Sequence, residues 1–264
     1  MSQPILHVSG LSMAFGGVQA LSKVDLEVDE GEIVALIGPN GAGKTTFFNC
    51  LTGIYTPTSG DIVLTAPGKK PCRLNGLKPN RVVEKGLART FQNIRLFKRM
   101  TVLENVMIGR HCRAKSFIFG AIFRPPATRR EEASIAATSY ALLKKVGLAE
   151  TANEFADSLS YGAQRKLEIA RALATEPALL LLDEPAAGMN PQETAELVGL
   201  IQGIASNGQA VLLIEHDMKL VMSLSQRIYV MDYGRQIACG PPAAIRTNPA
   251  VIKAYLGEED DAAA

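Results

Sequence analysis

Runs of apolar residues along the chain predict two kinds of β-strand. Residues 21–28 alternate apolar and polar side chains, which is the period of a strand with one buried face, and a turn with Gly31 follows them. Three other runs are apolar at every position, as in strands that are covered on both faces, at residues 33–37, 178–182 and 210–214. The pattern predicts a hairpin-like sheet near the start of the chain and a core of buried parallel strands.

Helical periods alternate with these strands, at residues 128–146, 161–174, 191–205 and 218–223. This alternation predicts an α/β fold with helices on both faces of the sheet. Residues 92–158 contain no convincing buried strand, so we expect a helical subdomain inserted between two core strands. Its least regular part mixes Phe117, Phe119 and Phe123 with basic residues and prolines, and is either a loop packed on its own subdomain or a surface facing a partner.

Composition narrows the class of protein. The chain has 264 residues, enough for one α/β domain or for a core with a smaller subdomain. Its 28 basic and 26 acidic side chains give a formal net charge of +2, so charge gives no reason to expect nucleic acid as a partner. The four cysteines lie far apart, which favours reduced thiols in a cytosolic protein. The start resembles no export leader, and the apolar stretches are too short to cross a bilayer.

The first motif with chemistry lies between a predicted buried strand and a helix. It reads Gly38-Pro39-Asn40-Gly41-Ala42-Gly43-Lys44-Thr45 and matches the pattern G-x-x-x-x-G-K-[ST]; we call it the phosphate loop. Its glycines let backbone N–H groups converge on phosphate oxygens, Lys44 adds a positive charge, and Thr45 offers a hydroxyl to Mg²⁺. The motif predicts a nucleotide site.

Two carboxylates, Asp183 and Glu184, follow the apolar run at residues 178–182. They stand at the sheet edge where ligands bind in open α/β folds. One can hold Mg²⁺ through water, and the other can orient or deprotonate an attacking water. Alone, the pair could be a polar strand exit, but together with the phosphate loop it predicts a site for nucleotide hydrolysis.

A third motif begins the helix that is predicted at residues 161–174. Ser160 is a suitable N-cap, but a cap does not explain Gly162 in the first turn, where glycine costs roughly 1 kcal/mol relative to alanine. We interpret Gly162 as leaving room for a phosphate group close to the backbone.

These motifs, in this order, resemble the nucleotide-binding subunit of an ATP-binding-cassette (ABC) transporter, over residues 6–256. The resemblance implies a P-loop NTPase core, with a mostly parallel sheet, an antiparallel β subdomain and an inserted helical subdomain. Residues 1–264 would form one ABC ATPase domain. Its RecA-like core with the N-terminal β subdomain would span 1–91 and 159–240, the helical subdomain 92–158, and C-terminal helices with an acidic tail 241–264.

The resemblance also implies the ligands, ATP and Mg²⁺, and the roles of residues. Glu184, His216 and Lys44 match the catalytic positions, and Thr45, Gln92 and Asp183 match the metal positions. The positions that would contact ATP are Phe15 against adenine, then Gly38, Pro39, Asn40, Gly41, Ala42, Gly43, Lys44, Thr45 and Thr46, and the signature segment Ser160, Tyr161, Gly162, Ala163 and Gln164.

In this family the signature segment of one subunit closes over the ATP of another, so the resemblance implies a dimer with an identical or different ABC ATPase subunit. It further implies two transmembrane permease subunits, an indirect link to a substrate-binding protein, and a peripheral location on the cytoplasmic face of the membrane. Residues 93–107 mix apolar and basic side chains, and by resemblance a short permease helix would dock at Leu96 and Phe97.

Residues 183–191, 89–106 and 214–222 look most like the ATPases of bacterial branched-chain amino-acid uptake systems. The substrate rests on resemblance alone, because membrane subunits would select it. The alternatives are the ATPase of a related urea or lipid transporter, a soluble ABC ATPase outside transport, and a nucleotide-binding regulator with an inactive site.

Two departures from the family pattern concern the site. The signature reads LSYGAQ, with Tyr161 and Ala163 in it, where LSGGQ is common, and Asn190 stands where aspartate is usual. Ser160 and Gly162 are kept, so we expect the activity to be kept as well.

Overall fold

The computed structural model describes residues 4–113 and 126–261. The strands are β1 (Leu6–Phe15), β2 (Val18–Val28), β3 (Ile33–Ile37), β4 (Ser59–Leu64), β5 (Cys72–Arg73), β6 (Leu87–Arg89), β7 (Leu179–Asp183), β8 (Ala210–Ile214), β9 (Arg227–Asp232) and β10 (Arg235–Gly240). The α-helices are α1 (Lys44–Leu51), α2 (Pro79–Lys85), α3 (Val102–Arg110), α4 (Pro126–Lys145), α5 (Tyr161–Leu173), α6 (Pro191–Ala205), α7 (Met218–Leu224), α8 (Pro242–Arg246) and α9 (Pro249–Asp261).

The larger sheet has the strand order β10-β9-β3-β8-β7-β6. β9, β3, β8, β7 and β6 run parallel to their neighbours, and β10 is antiparallel to β9. The three apolar runs at 33–37, 178–182 and 210–214 are confirmed as adjacent, buried parallel strands. The other three strands of this sheet, β6, β9 and β10, were not predicted: β6 has only three residues, and β9 and β10 have partly or fully exposed residues at both ends.

The smaller sheet is antiparallel, with the order β2-β1-β4-β5. β1 and β2 form the predicted hairpin, while β4 and β5 join it from beyond α1. An apolar cluster fills the space between the two sheets and includes the fully buried Phe47 and Phe48 of α1. Since α1 begins at the phosphate loop, this cluster fixes the direction of the loop.

Helices α5, α6, α7 and α8 cover the other face of the larger sheet, through side chains that include Ile169, Leu197 and Leu220. A third cluster joins α3 and α4 to α5, with Val106, Leu143 and Leu167 in it. α5 therefore contributes to both clusters. Between residues 92 and 158, the described part holds helices and one isolated bridge, from Thr101 to Phe155, and no strand.

The four helical periods coincide with α4, α5, α6 and α7. Cys50, Cys72, Cys112 and Cys239 are free thiols, as predicted. No helix among the described residues is long and apolar enough to cross a bilayer. The segment with Phe117, Phe119 and Phe123 lies outside the described residues, so its two interpretations stay open.

Candidate active site

The phosphate loop leaves the buried end of β3 and enters α1, whose first residue is Lys44 and whose N-cap is Gly43. Gly38 has φ 150°, and a Cβ there would lie 2.1 Å from the backbone oxygen of Met231. Gly43 has φ 98°, in the left-handed region that favours glycine. Both glycines are therefore required by the path of the backbone, which points the N-terminus of α1 into the site.

Lys44 is buried, and its ammonium group Nζ donates to the loop carbonyls of Gly38 at 2.6 Å and Pro39 at 2.8 Å. The predicted phosphate lysine thus lies inside its own loop. Thr45 is exposed and Thr46 is half-buried, one and two residues into α1. Phosphate oxygens at the loop would meet the positive charge and the first N–H groups of the helix together.

Glu184, Gln92 and His216 come together at the carboxyl edge of the larger sheet. Gln92 Nε2 donates to Glu184 Oε2 at 2.7 Å, and His216 Nε2 lies 2.7 Å from Glu184 Oε1. Glu184 has φ 46°, a left-handed backbone conformation, and its N–H donates to the carbonyl of Ile214. Three residues singled out from separate motifs therefore meet around one carboxylate, after β6, β7 and β8.

Asp183 is buried and forms an ion pair with Arg89, whose Nη2 lies 2.6 Å from Oδ2. Arg89 Nη1 also donates to Asn49 Oδ1 on α1, at 2.8 Å. This arginine links the end of β7 to the helix that follows the phosphate loop. Sequence reasoning did not single out Arg89, because its partners Asn49 and Asp183 lie 40 and 94 positions away along the chain.

Glu215 is a buried carboxylate that directly precedes His216 and contacts the turn after Glu184. It accepts the N–H of Ala186 at 2.8 Å and that of His216 at 3.1 Å. Burial raises the pKa of the Glu215 carboxyl, partly offset by these backbone hydrogen bonds. Sequence reasoning passed over this residue, because a carboxylate at a strand end gives no sign of its burial.

Ser160 is exposed and caps α5, with its hydroxyl accepting the N–H of Ala163 at 3.3 Å. Gln164 Nε2 donates to the Leu159 carbonyl. The side of Gly162 where a Cβ would project is filled by the Glu193 carboxylate, 2.6 Å from that position. This carboxylate is the far end of a flexible side chain that can move aside, so the contact does not by itself require glycine, and the interpretation of Gly162 as room for a phosphate stays a prediction.

The two departures from the family pattern lie next to each other. A Cβ on Gly188, whose φ is 76°, would be 3.4 Å from the ring of Tyr161, so this ring packs over the segment that leads to Asn190. Asn190 caps α6 in a capping box, in which it accepts the N–H of Glu193 and Glu193 accepts its N–H. Glu193 in turn touches Gly162, so signature and cap form one contact surface.

Phe15 ends β1 and is 41% exposed. Its ring meets Tyr55 edge to face, with 5.1 Å between the ring centroids and 76° between the planes. The aromatic predicted to stack on adenine therefore offers an open face and is held by a second aromatic that sequence reasoning missed.

The donors that could hold Mg²⁺ are oxygen atoms, from Thr45, Gln92 and Asp183. No group of three or more histidine, cysteine or acidic side chains suited to a metal occurs in residues 4–113 and 126–261. Mg²⁺ usually keeps several waters and uses one or two carboxylates with substrate phosphates, so the set fits Mg²⁺ delivered with a nucleotide.

Comparison with known proteins places the chain in a family. The ABC transporter family profile matches residues 21–187, and that of branched-chain amino acid ATP-binding cassette transporters matches residues 235–261. The high-affinity branched-chain amino acid transport ATP-binding protein LivG of Salmonella typhimurium is 51% identical over 259 residues, covering 98% of this chain and 100% of the relative.

Solved structures agree with this assignment. The ADP conformation of an ATP-binding cassette of an ABC transporter is 30% identical with a TM-score of 0.82, covering 97% of this chain and all of that one. A dimeric bacterial ABC transporter cassette, 23% identical over 90% of this chain and 98% of that one, shares the fold with a TM-score of 0.73. The chain therefore belongs to the ABC transporter family and is an ATP-binding subunit of its branched-chain amino acid group.

Proposed function

We propose that this chain hydrolyses ATP at the cytoplasmic face of the membrane to drive the import of branched-chain amino acids. The observation that carries the proposal is the meeting of Gln92 and His216 on the two carboxylate oxygens of Glu184, at the sheet edge that also bears the phosphate loop. Near-full-length identity to a branched-chain amino acid transport ATPase supports the substrate class.

The chemistry assigned to the site is attack of water on the γ-phosphorus of ATP, which breaks the bond to the β–γ bridging oxygen and yields ADP and inorganic phosphate. Glu184 orients the water and accepts its proton, since a carboxylate within hydrogen-bond reach of water can act as general base. His216, beside Glu184, contacts the γ-phosphate, and Lys44 neutralises charge on the phosphate oxygens. Little covalent chemistry is needed, because phosphoryl transfer depends mainly on positioning and charge.

Mg²⁺, when bound, neutralises charge on the β- and γ-phosphates. Thr45 would supply a hydroxyl, Gln92 its side-chain carbonyl and Asp183 a carboxylate oxygen. In the structure Asp183 is oriented by Arg89 and Gln92 by Glu184. These partners keep the side chains at the sheet edge.

A second subunit completes the site in this proposal. Ser160 and Tyr161 are exposed at the start of α5, available for an ATP held by a partner's phosphate loop. The fold shared with a dimeric bacterial cassette supports pairing with an identical or different ATPase subunit. We also propose the division into core, helical and C-terminal parts at residues 1–91 and 159–240, 92–158 and 241–264.

The permease would contact a groove of about 640 Å³ that lies a few residues after Gln92 along the chain. The residues that line it include Arg95, Phe97, Ile108 and Arg171. Phe97 is 49% exposed at this groove, with the Arg171 guanidinium 5.8 Å from its ring centroid. An exposed aromatic with a charged rim fits a short amphipathic helix of a membrane subunit. The substrate-binding protein would act only through the permease.

The test is uptake by vesicles that contain the permease subunits, this chain with its partner ATPase subunit, and the substrate-binding protein. We expect ATP-dependent accumulation of leucine, isoleucine or valine. ADP should appear on the side of the vesicle membrane to which ATP was added. Accumulation of urea instead, or hydrolysis that no amino acid stimulates, would overturn the substrate assignment. The Glu184→Gln complex serves as the control for uptake that does not depend on hydrolysis.

A further inference from the structure

An ion pair between Arg165 and Glu168 is buried on helix α5, in the turn that directly follows the signature segment. Arg165 Nη1 lies 2.8 Å from Glu168 Oε2, and the two side chains are 0% and 2% exposed. Burying two charges is expensive unless good hydrogen bonds satisfy the remaining donors and acceptors. The partners of this pair therefore indicate what it is for.

Those partners are main-chain groups on both sides of Gln92, in residues 91–95, which we call the Gln92 segment. Arg165 donates to the carbonyl of Phe91 at 2.7 Å and to that of Gln92 at 2.8 Å. Glu168 Oε1 lies 3.3 Å from the backbone nitrogen of Arg95 and 3.5 Å from that of Phe91, and accepts their N–H groups. The pair thus holds the Gln92 segment through its main-chain atoms, so these hydrogen bonds do not depend on the side chains of the segment.

The Gln92 segment connects this pair to the site. The side chain of Gln92 donates to Glu184 at 2.7 Å, while its carbonyl is held by Arg165. On the other side, the Tyr161 hydroxyl of the signature segment accepts from Arg165 Nη2 at 3.4 Å. A single guanidinium therefore lies between the residues assigned to a partner's ATP and the carboxylate assigned to this subunit's own ATP.

We propose that Arg165 and Glu168 are positioning residues, which make the position of α5 and the position of Gln92 at Glu184 change together. The inference rests on the proposed function, because it assigns Glu184 to ATP hydrolysis. A rigid-body shift of α5 would carry the Phe91 and Gln92 carbonyls with it. Closure of the signature segment over ATP in one site would then reset Gln92 in the other.

The geometry favours positioning over stability alone. Two apolar side chains of similar volume would fill the same space without the desolvation of two charges. The guanidinium of Arg165 is directed at the carbonyls of Phe91 and Gln92. Its Nε has no hydrogen-bond partner among the described residues, so this orientation leaves one N–H unsatisfied. Lysine could not replace it, because one ammonium group cannot reproduce the fixed fork that reaches two carbonyls and a carboxylate.

The experiment compares Arg165→Lys and Glu168→Gln with Glu196→Gln, in the assembled transporter complex. Glu196 lies on α6 and forms an ion pair with Lys166 of α5, nearer the surface. Its variant therefore removes an ion pair of α5 without touching the Gln92 segment. The readouts are hydrogen exchange of the amides of residues 91–95, and the KM and kcat for ATP. Arg165→Lys and Glu168→Gln should each exchange these amides at least about tenfold faster than the wild type. Each should lose about ten- to hundredfold in kcat with KM nearly unchanged, as expected when a reacting group is misplaced by about 1 Å.

Exchange at residues 91–95 and kcat equal to those of Glu196→Gln would overturn the proposal, as would faster exchange with wild-type kcat. If both single variants fail to fold, the double variant Arg165→Met with Glu168→Leu replaces the pair by apolar groups and must show the same faster exchange and lower kcat. Failure of the proposed function would give a different result. The wild type would then lack ATPase activity, while the two variants would still exchange the amides of residues 91–95 faster.

Discussion

At the scale of single residues, the site depends on a few side chains whose position is set by backbone constraints rather than by the site itself. Gly38 cannot carry a Cβ, because the Met231 carbonyl occupies that space. Glu184 adopts a left-handed conformation, fixed by the hydrogen bond from its N–H to Ile214. The backbone thus sets the path of the loop and the position of the carboxylate.

Phe15 should contribute to ATP affinity through its exposed face. We expect Phe15→Ala to raise the KM for ATP by the equivalent of about 1–3 kcal/mol, the usual value of stacking a base on an aromatic ring. Phe15→Tyr keeps the face and should be nearly neutral, and Tyr55→Phe keeps the edge contact and serves as a second control. An unchanged KM in the alanine variant would mean that adenine lies elsewhere.

Glu215 should make folding stability depend on pH. Burial raises the pKa of this carboxyl, so the folded protein binds the proton more tightly than the unfolded chain. Its contribution to the free energy of unfolding is complete below the ordinary glutamate value of about 4.3 and is lost as pH rises through the raised pKa. Urea unfolding across a pH series should therefore show a weaker decline with rising pH in Glu215→Gln than in the wild type.

The control for that series is Glu196→Gln. The hydrogen bond from Lys166 lowers the pKa of the Glu196 carboxyl, so this group cannot give a decline of the same sign. If Glu196→Gln reproduced the weaker decline, or if Glu215→Gln left the wild-type slope in place, the account of the buried carboxylate would be wrong.

At the scale of elements, the start of α6 shows why one departure from the family pattern is tolerated. Asparagine and aspartate are equally good N-caps, so Asn190 keeps the capping box with Glu193. We expect Asn190→Ala to lower the free energy of unfolding by about 1 kcal/mol, and Asn190→Asp to leave it unchanged, in urea titrations. An aspartate variant as unstable as the alanine variant would show that the cap is not what Asn190 contributes.

The elements that sequence reasoning found are those with a strong local signal. The continuous apolar runs of β3, β7 and β8, and the phosphate loop between β3 and α1, could be predicted because each signal lies within a few residues. β6 could not, since three residues give no pattern and its pairing with β7 spans about ninety positions of chain. The roles of Arg165, Glu168 and Arg89 were missed for the same reason: their partners are distant in sequence.

At the scale of the whole molecule, α5 connects the parts. Leu167 and Ala170 pack in the helical cluster, while Ile169 packs against the larger sheet. The same helix carries the signature segment at its start and the Arg165–Glu168 pair in its second turn. If the Arg165–Glu168 pair acts as proposed, a movement of the helical cluster relative to the larger sheet would reach the Gln92 segment through α5.

The docking groove predicts a separation between Leu96 and Phe97. Leu96 is half-buried against the helical cluster, whereas Phe97 is largely exposed. We expect Phe97→Glu to keep the fold and ATP binding and to lose most ATP-driven uptake in vesicles, and Leu96→Glu to lower the unfolding midpoint instead. Ile252→Glu places the same charge on a comparably exposed apolar residue far along the chain and should transport normally. Normal uptake by Phe97→Glu would move the permease contact elsewhere.

The central claim is that Glu184 is the base in ATP hydrolysis, and phosphate release by the assembled complex at saturating ATP tests it most directly. Glu184→Gln keeps the size of the side chain and leaves Gln92 and His216 within hydrogen-bond distance, but it removes the carboxylate that acts as base. Turnover should therefore fall by about 10²- to 10⁴-fold. ATP should stay bound in the same sample, in contrast to Lys44→Ala, which should lose it. Turnover close to wild type in a folded Glu184→Gln complex would contradict the account.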